Sequence, residues 1–118
     1  HLTYVKRTVS SKGKLKQALQ KLIVGPSAYE DKKGIYTAIP KNLKIRKITI
    51  RNKTAILDFN KAIEYGATGA ILLKRLDQII YTATQFESIN SIVLLINGKR
   101  KNTLGSDGIS ISGYLRRK

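Results

Sequence analysis

Five local signals in a fixed order constrain this 118-residue chain more tightly than its composition does. Leu22, Ile23 and Val24 run into Gly25 and Pro26, and Thr37, Ala38 and Ile39 run into Pro40. Ala55 to Phe59 is an apolar run interrupted by Asp58, Gly66 and Gly69 precede a second apolar stretch, and Asn97-Gly98 follows a third. Glycine just past a helix takes the left-handed conformation that lets the last carbonyls find donors, and proline beside it cannot continue the helix. In this order the signals predict an α+β fold, with two helices packed on one face of a small mixed β-sheet.

Leu2 to Val9 alternates loosely and reads as an extended opening segment. From Lys14 to Val24, the residues Leu15, Ala18, Leu19, Leu22 and Ile23 recur at helical spacing, with Ser10 or Ser11 as cap and Lys14, Gln17 and Lys21 turned outward. The polar stretch after Gly25 and Pro26 is a surface loop over 27–34. A second helix is expected from Thr68 or Gly69 to about Phe86, its core stripe made by Leu72, Leu76, Ile79, Ile80 and Ala83 and widened by Ile71 and Leu73. Ile92 to Ile96 is apolar throughout, as suits a central strand covered on at least part of both faces. Asn97-Gly98 predicts a tight hairpin into a basic strand Lys99 to Leu104, followed by a turn at Gly105 to Gly108 and a short strand at Ile109 and Ile111.

Leu43 to Arg51 and Thr54 to Phe59 read as a hairpin closed by a two-residue turn at Asn52 and Lys53. That turn sets Arg51 opposite Thr54, Ile50 opposite Ala55, Thr49 opposite Ile56, Ile48 opposite Leu57 and Lys47 opposite Asp58. The register then sorts the faces, with Ile48, Ile50, Ala55, Leu57 and Phe59 on the buried side. Lys47, Thr49, Arg51, Thr54, Ile56 and Asp58 fall on the other, where Asp58 is expected to pair with Lys47. Leu43 and Ile45 have the wrong parity for this face, so a bulge or strand start is expected near Arg46. The expected core comprises Leu19, Leu22, Ile48, Ile50, Leu57, Phe59, Leu72, Leu76, Ile79, Ile80 and Leu94.

A chain of this length buries one core, so residues 1–118 are expected to form a single domain with a basic C-terminal end over 115–118. The apolar runs fall well short of the roughly 20 residues that span a bilayer. Cysteine is absent, which excludes a disulfide framework or a thiolate metal site. The net charge of +16 is uneven: fourteen basic against two acidic residues in 1–53, three against four in 54–98, and six against one in 99–118. Two explanations stand side by side. One is attraction to phosphate, anionic lipid or acidic polymer; the other is codon bias, since Ile, Lys and Asn supply 38 residues and Lys outnumbers Arg sixteen to seven.

Catalytic patterns are absent. The one histidine is His1, which argues against a Ser-His-Asp triad, and the acidic residues are scattered too singly for a metal cluster. Asp58 with Glu64 can be imagined as a glycosidase pair, but Asp58 lies among core residues and is expected to pair within the hairpin. The Gly66 to Gly69 segment lacks the lysine and hydroxyl residue of a phosphate-binding loop and reads as a plain helix start. Tyr4, Tyr29, Tyr36, Tyr65, Tyr81 and Tyr114 are too dispersed for a nucleobase-stacking strand. No cofactor is expected.

The ordered motifs resemble the GerMN domain, the sporulation and spore germination domain family of bacterial envelopes. The matching pieces are Ala18, Leu19 and Leu22 to Pro26; Thr37 to Pro40; Ala55 to Phe59; Gly66 to Gly69; Ile96 to Lys99; and Thr103 to Gly105 with Asp107. Arg7 stands where the family tends to carry an arginine ahead of the first helix. Two departures stand out: family members usually have a further strand before Leu2 to Val9, which is expected either to be missing from this sheet or to lie outside this sequence, and Asn52-Lys53 replaces the Asp and Gly common at the hairpin turn.

The resemblance implies a non-catalytic module outside the cytoplasm, similar to ring-building modules of secretion systems and anchored to the membrane through a segment outside this sequence. Its implied roles are protein assembly, self-association, or association with peptidoglycan or another envelope component. From the residues themselves, Lys14, Lys16, Lys21, Lys99, Arg100 and Lys101 are candidate contacts to anionic polymer or membrane, including non-specific nucleic acid. Lys47, Thr49, Arg51, Thr54 and Ile56 are the candidate protein-interaction face. The rival reading is a basic nucleic-acid-binding domain in the cytoplasm, and a third is a small enzyme using a lone Lys or Asp.

Overall fold

The computed structural model describes residues 11–24, 39–40, 42–65, 69–105 and 108–117. The elements are helix α1 (Ser11–Val24), strands β1 (Ile45–Arg51) and β2 (Thr54–Phe59), a 3₁₀ turn (Lys61–Glu64), helix α2 (Gly69–Ala83), and strands β3 (Ser91–Ile96), β4 (Lys99–Arg100), β5 (Thr103–Leu104) and β6 (Ile109–Ser110). The main sheet has the order β1-β2-β3-β4, and β5 pairs with β6 separately. Because β2 and β3 run parallel while their outer neighbours run antiparallel, the sheet is mixed. The expected opening segment Leu2 to Val9, the stop at Gly25 and Pro26, the loop over 27–34 and the segment Gly66 to Thr68 lie outside the described residues.

The hairpin forms as its alternation dictates. Arg51 faces Thr54, Ile50 faces Ala55, Thr49 faces Ile56, Ile48 faces Leu57 and Lys47 faces Asp58, and the register shifts between Ile45 and Lys47. That bulge leaves Arg46 as the extra residue, so Ile45 and Ile48 both turn toward the core. Asn52 and Lys53 have φ of 51° and 63°, the pair of left-handed conformations that a two-residue turn needs to match strand twist. Asn97 and Gly98, at 51° and 81°, do the same between β3 and β4.

Both helices cover one face of the sheet. Leu15 and Leu19 of α1, Leu72, Leu76, Ile79 and Ile80 of α2, and Ile48, Leu57, Phe59, Leu94 and Ile96 of the sheet share one buried cluster. Leu22 and Ile50, expected in the core, are only partly buried against its margin. Helix α1 begins at Ser11, three residues before the expected Lys14, which makes Ser11 helical instead of a flanking cap.

Helix α2 ends at Ala83 and not near Phe86. At its end Thr84 donates from both its amide and its hydroxyl to the carbonyl of Ile80, at 2.9 and 2.7 Å. Ile71 and Leu73 do not widen its buried stripe; they are 44% and 45% exposed. Each lies about 100° around the helix from Leu72, beyond the sector that the sheet and α1 cover. The buried stripe instead includes Arg75, which donates to the carbonyls of Ile63 and Tyr65 and so fastens α2 to the 3₁₀ turn. Burial pushes its pKa below the usual arginine value, yet a guanidinium remains a cation at any physiological pH.

The expected basic strand Lys99 to Leu104 is two short strands in different sheets, divided at Lys101 and Asn102. Glu64 accepts from the Gly105 amide at 3.0 Å and from Lys101 at 3.3 Å, drawing this part of the chain from the β3 edge toward the 3₁₀ turn. Gly105 has φ of 75°, a conformation that favours glycine, and a Cβ there would press on Leu72 Cδ1. With Leu104 and Ile111 fully buried, the β5-β6 hairpin closes one end of the core.

Candidate functional site

Strand pairing assigns the face of the sheet turned away from the helices. Thr49, Ile56 and Val93 form one row across it, Arg51, Thr54 and Ser91 a second, and Lys47, Asp58, Leu95 and Arg100 a third. Thr54 Oγ1 and Ser91 Oγ are hydrogen-bonded at 2.9 Å, which ties β2 to β3 at one end of the face. A shallow concavity of about 330 Å³ spans the centre, lined by Arg51, Asn52, Thr54, Ile56, Val93, Leu95, Arg100 and Tyr114. Its floor is aliphatic. Val93 is buried without belonging to the main core cluster, whereas Ile56 and Leu95 are half-buried.

The rim is polar and cationic. Arg51 and Arg100 are exposed, and Tyr114, on the C-terminal segment, is 64% exposed. That segment is held in place by two hydrogen bonds exchanged between Leu115 and Ile92, at 2.8 and 2.9 Å. Next to it, Arg117 donates to Thr84 Oγ1 at 2.6 Å and lies over the Tyr81 ring, 4.0 Å from its centre. Tyr114 is thereby delivered to the outer face by a fastened chain end.

Asp58 is the acidic member of the third row, and its charge is already engaged. It accepts from the Gly98 amide at 2.8 Å and from Arg46 Nη1 at 3.5 Å. The expected partner was Lys47. Because two residues of the bulge oppose one on β2, Arg46 and Lys47 both stand near Asp58, and the longer, forked guanidinium makes the contact.

The candidate residues of the sequence thus regroup. Lys47, Thr49, Arg51, Thr54 and Ile56 do share the outer face, as expected from parity. Arg100, expected in a basic patch with Lys99 and Lys101, joins that face, while Lys101 is paired with Glu64. Lys14, Lys16 and Lys21 are exposed on α1, which packs on α2 and β1, at the opposite end of the sheet order from β4. The two basic groups are therefore not brought together. Val93 and Leu95 were missed because an all-apolar strand does not say which of its residues turn from the helices, and Tyr114 because its place depends on the pairing of Leu115 with the sequence-distant Ile92.

Among the described residues no group of three or more His, Cys, Asp or Glu could hold a metal ion. Asp58 and Glu64, the imagined glycosidase pair, serve two different turns. The described tyrosines Tyr65, Tyr81 and Tyr114 come from the 3₁₀ turn region, α2 and the C-terminal segment, so they make no row of stacking rings. Among the described residues no helix is long and apolar enough to cross a membrane.

Known structures share this architecture. A candidate lipoprotein from Clostridium perfringens is 27% identical, with a TM-score of 0.79 over 90% of this chain and 68% of that one. The first GerMN domain of the sporulation protein GerM from Bacillus subtilis is 27% identical, with a TM-score of 0.75 over 90% and 80% of the two chains. The tandem GerMN domains of the same Bacillus subtilis protein match at 24% identity with a TM-score of 0.72, over 93% of this chain and 37% of that one. No curated protein matches by sequence. The family model for sporulation and spore germination matches residues 2–102, nearly the whole chain, and on that match this chain belongs to the Germane (GerMN) domain family.

Proposed function

We propose that this domain is a non-catalytic assembly module of the bacterial cell envelope, working outside the cytoplasm and attached to the membrane through a segment beyond this sequence. The observation that carries the reading is the outer sheet face, concave and aliphatic at its centre with a cationic rim, on the side opposite both helices. Sheet faces and edges of this kind recruit other chains. The similarity to a candidate lipoprotein and to a domain of a sporulation protein supports placement at the envelope. Retention on peptidoglycan remains a companion role of the same module, expected through the exposed lysines of α1.

The test is site-specific photo-cross-linking in the source bacterium, with a benzophenone amino acid at Ile56 in one strain and at Gln17 on α1 in another. Cross-links from Ile56 to an envelope protein, together with labelling of the domain by a membrane-impermeant reagent, are the expected result. A cytoplasmic protein cross-linking to nucleic-acid-bound material, or equal capture from both positions, overturns the reading.

A further inference from the structure

We infer that the concave outer face docks an extended acidic segment of another protein, apolar at its centre with a carboxylate toward each end. The inference rests on the assembly reading above and adds the chemistry of the occupant. Ile56 and Leu95, half-buried on adjacent strands on either side of the buried Val93, make an aliphatic floor whose remaining exposed area gains by being covered with apolar side chains and gains little from a bare phosphate or a polyanion. Arg51 and Arg100 stand at diagonally opposite ends of that floor, in different rows and on β1 and β4. Strand spacing and rise separate their Cα atoms by about 20 Å, the reach of roughly six extended residues.

Neither arginine has a partner among the described residues. Asp58, the carboxylate in the row of Leu95 and Arg100, is held by Arg46 and the Gly98 amide. The potential over the floor is consequently positive, and carboxylates flanking an apolar centre complement it. A second copy of this chain is the poorer occupant. With a net charge of +16 on each molecule, face-to-face docking sets like charges across the contact.

The experiment uses the full chain and an eight-residue peptide with two glutamates at each end and Ile-Thr-Leu-Thr between, read by amide chemical shifts and titration. The expected shifts are at Ile56, Val93, Leu95 and Tyr114. Arg51→Glu with Arg100→Glu is expected to weaken binding about tenfold or more, while Lys14→Glu with Lys16→Glu, an equal change of charge on α1, costs less than about twofold. Tyr114→Ala, at an exposed position, gives a second reading of the same site without a change of charge. Equal losses from the two charge reversals overturn the inference, as does equal binding of a peptide whose centre is Ser-Thr-Ser-Thr. Tighter binding of hyaluronate at the same residues reassigns the face to acidic saccharide and also overturns it. If the peptide fails while Ile56 still cross-links to an envelope protein, the occupant's chemistry is wrong and the assembly reading stands; if both fail, both fall.

Discussion

The two faces of the main sheet are built from alternating residues of the same strands, yet they differ in what they commit to. On the inner face Ile48, Leu57, Phe59, Leu94 and Ile96 are sealed by two helices, so a truncation there leaves a cavity and an enlargement strains the packing. On the outer face Thr49, Ile56 and Leu95 are half-buried and Lys47, Arg51 and Arg100 are exposed. The inner face stabilises the fold, while the outer one leaves apolar area half-exposed and Lys47, Arg51 and Arg100 without partners among the described residues. Asp58 lies between these roles: it is on the outer face by parity, but its contacts with Arg46 and Gly98 tie the β1 bulge to the turn between β3 and β4.

Mutations can break this division. The largest effect is expected at Leu76→Ala, which empties a buried position between α2 and the sheet and should cost about 2 to 5 kcal/mol in urea unfolding. A loss under about half a kcal/mol would mean that α2 does not seal the inner face. Gly105→Ala should follow at about 1 to 3 kcal/mol, because alanine is strained at that φ and its Cβ meets Leu72. A thermal midpoint unchanged from the parent would remove Gly105 from the closure of the core.

Asp58→Ala leaves the Gly98 amide and Arg46 without their acceptor and should cost about 1 to 3 kcal/mol. Amide exchange at Gly98 is the direct check, and unaltered protection there would contradict the contact. Smaller still, Arg51→Glu and Arg100→Glu should each change stability by no more than about 0.5 kcal/mol. A larger destabilisation of either would move these arginines from the free face to the folding side of the comparison. Last, binding to duplex DNA should be weak and indifferent to sequence, with log K falling against log salt at a slope near −0.9 per phosphate neutralised. A salt-resistant preference for one sequence would favour the nucleic-acid reading over the envelope reading.

What the sequence by itself determined lies within short stretches of chain. The hairpin register, the bulge at Arg46 and the turn at Asn52 and Lys53 all follow from two-residue alternation and loop length, because a slip of one residue would expose every apolar side chain of the pair. The stripe of α2 was legible for the same reason, and Arg75 carried a signal of its own in standing three residues after Leu72 and four before Ile79, within the buried sector.

What only the tertiary structure decided involves partners far apart in sequence. The split of Lys99 to Leu104 follows from Glu64, 41 residues from Gly105, and the choice of Arg46 over Lys47 depends on how the bulge aims two neighbouring side chains. The outer concavity joins β1, β2, β3, β4 and the C-terminal segment, so Arg100 left its expected patch to stand with Arg51, Val93 and Tyr114. Local periodicity tells which residues share a face of one strand. Which strands lie side by side, and which face the helices leave open, is settled by packing and hydrogen bonding across the whole domain.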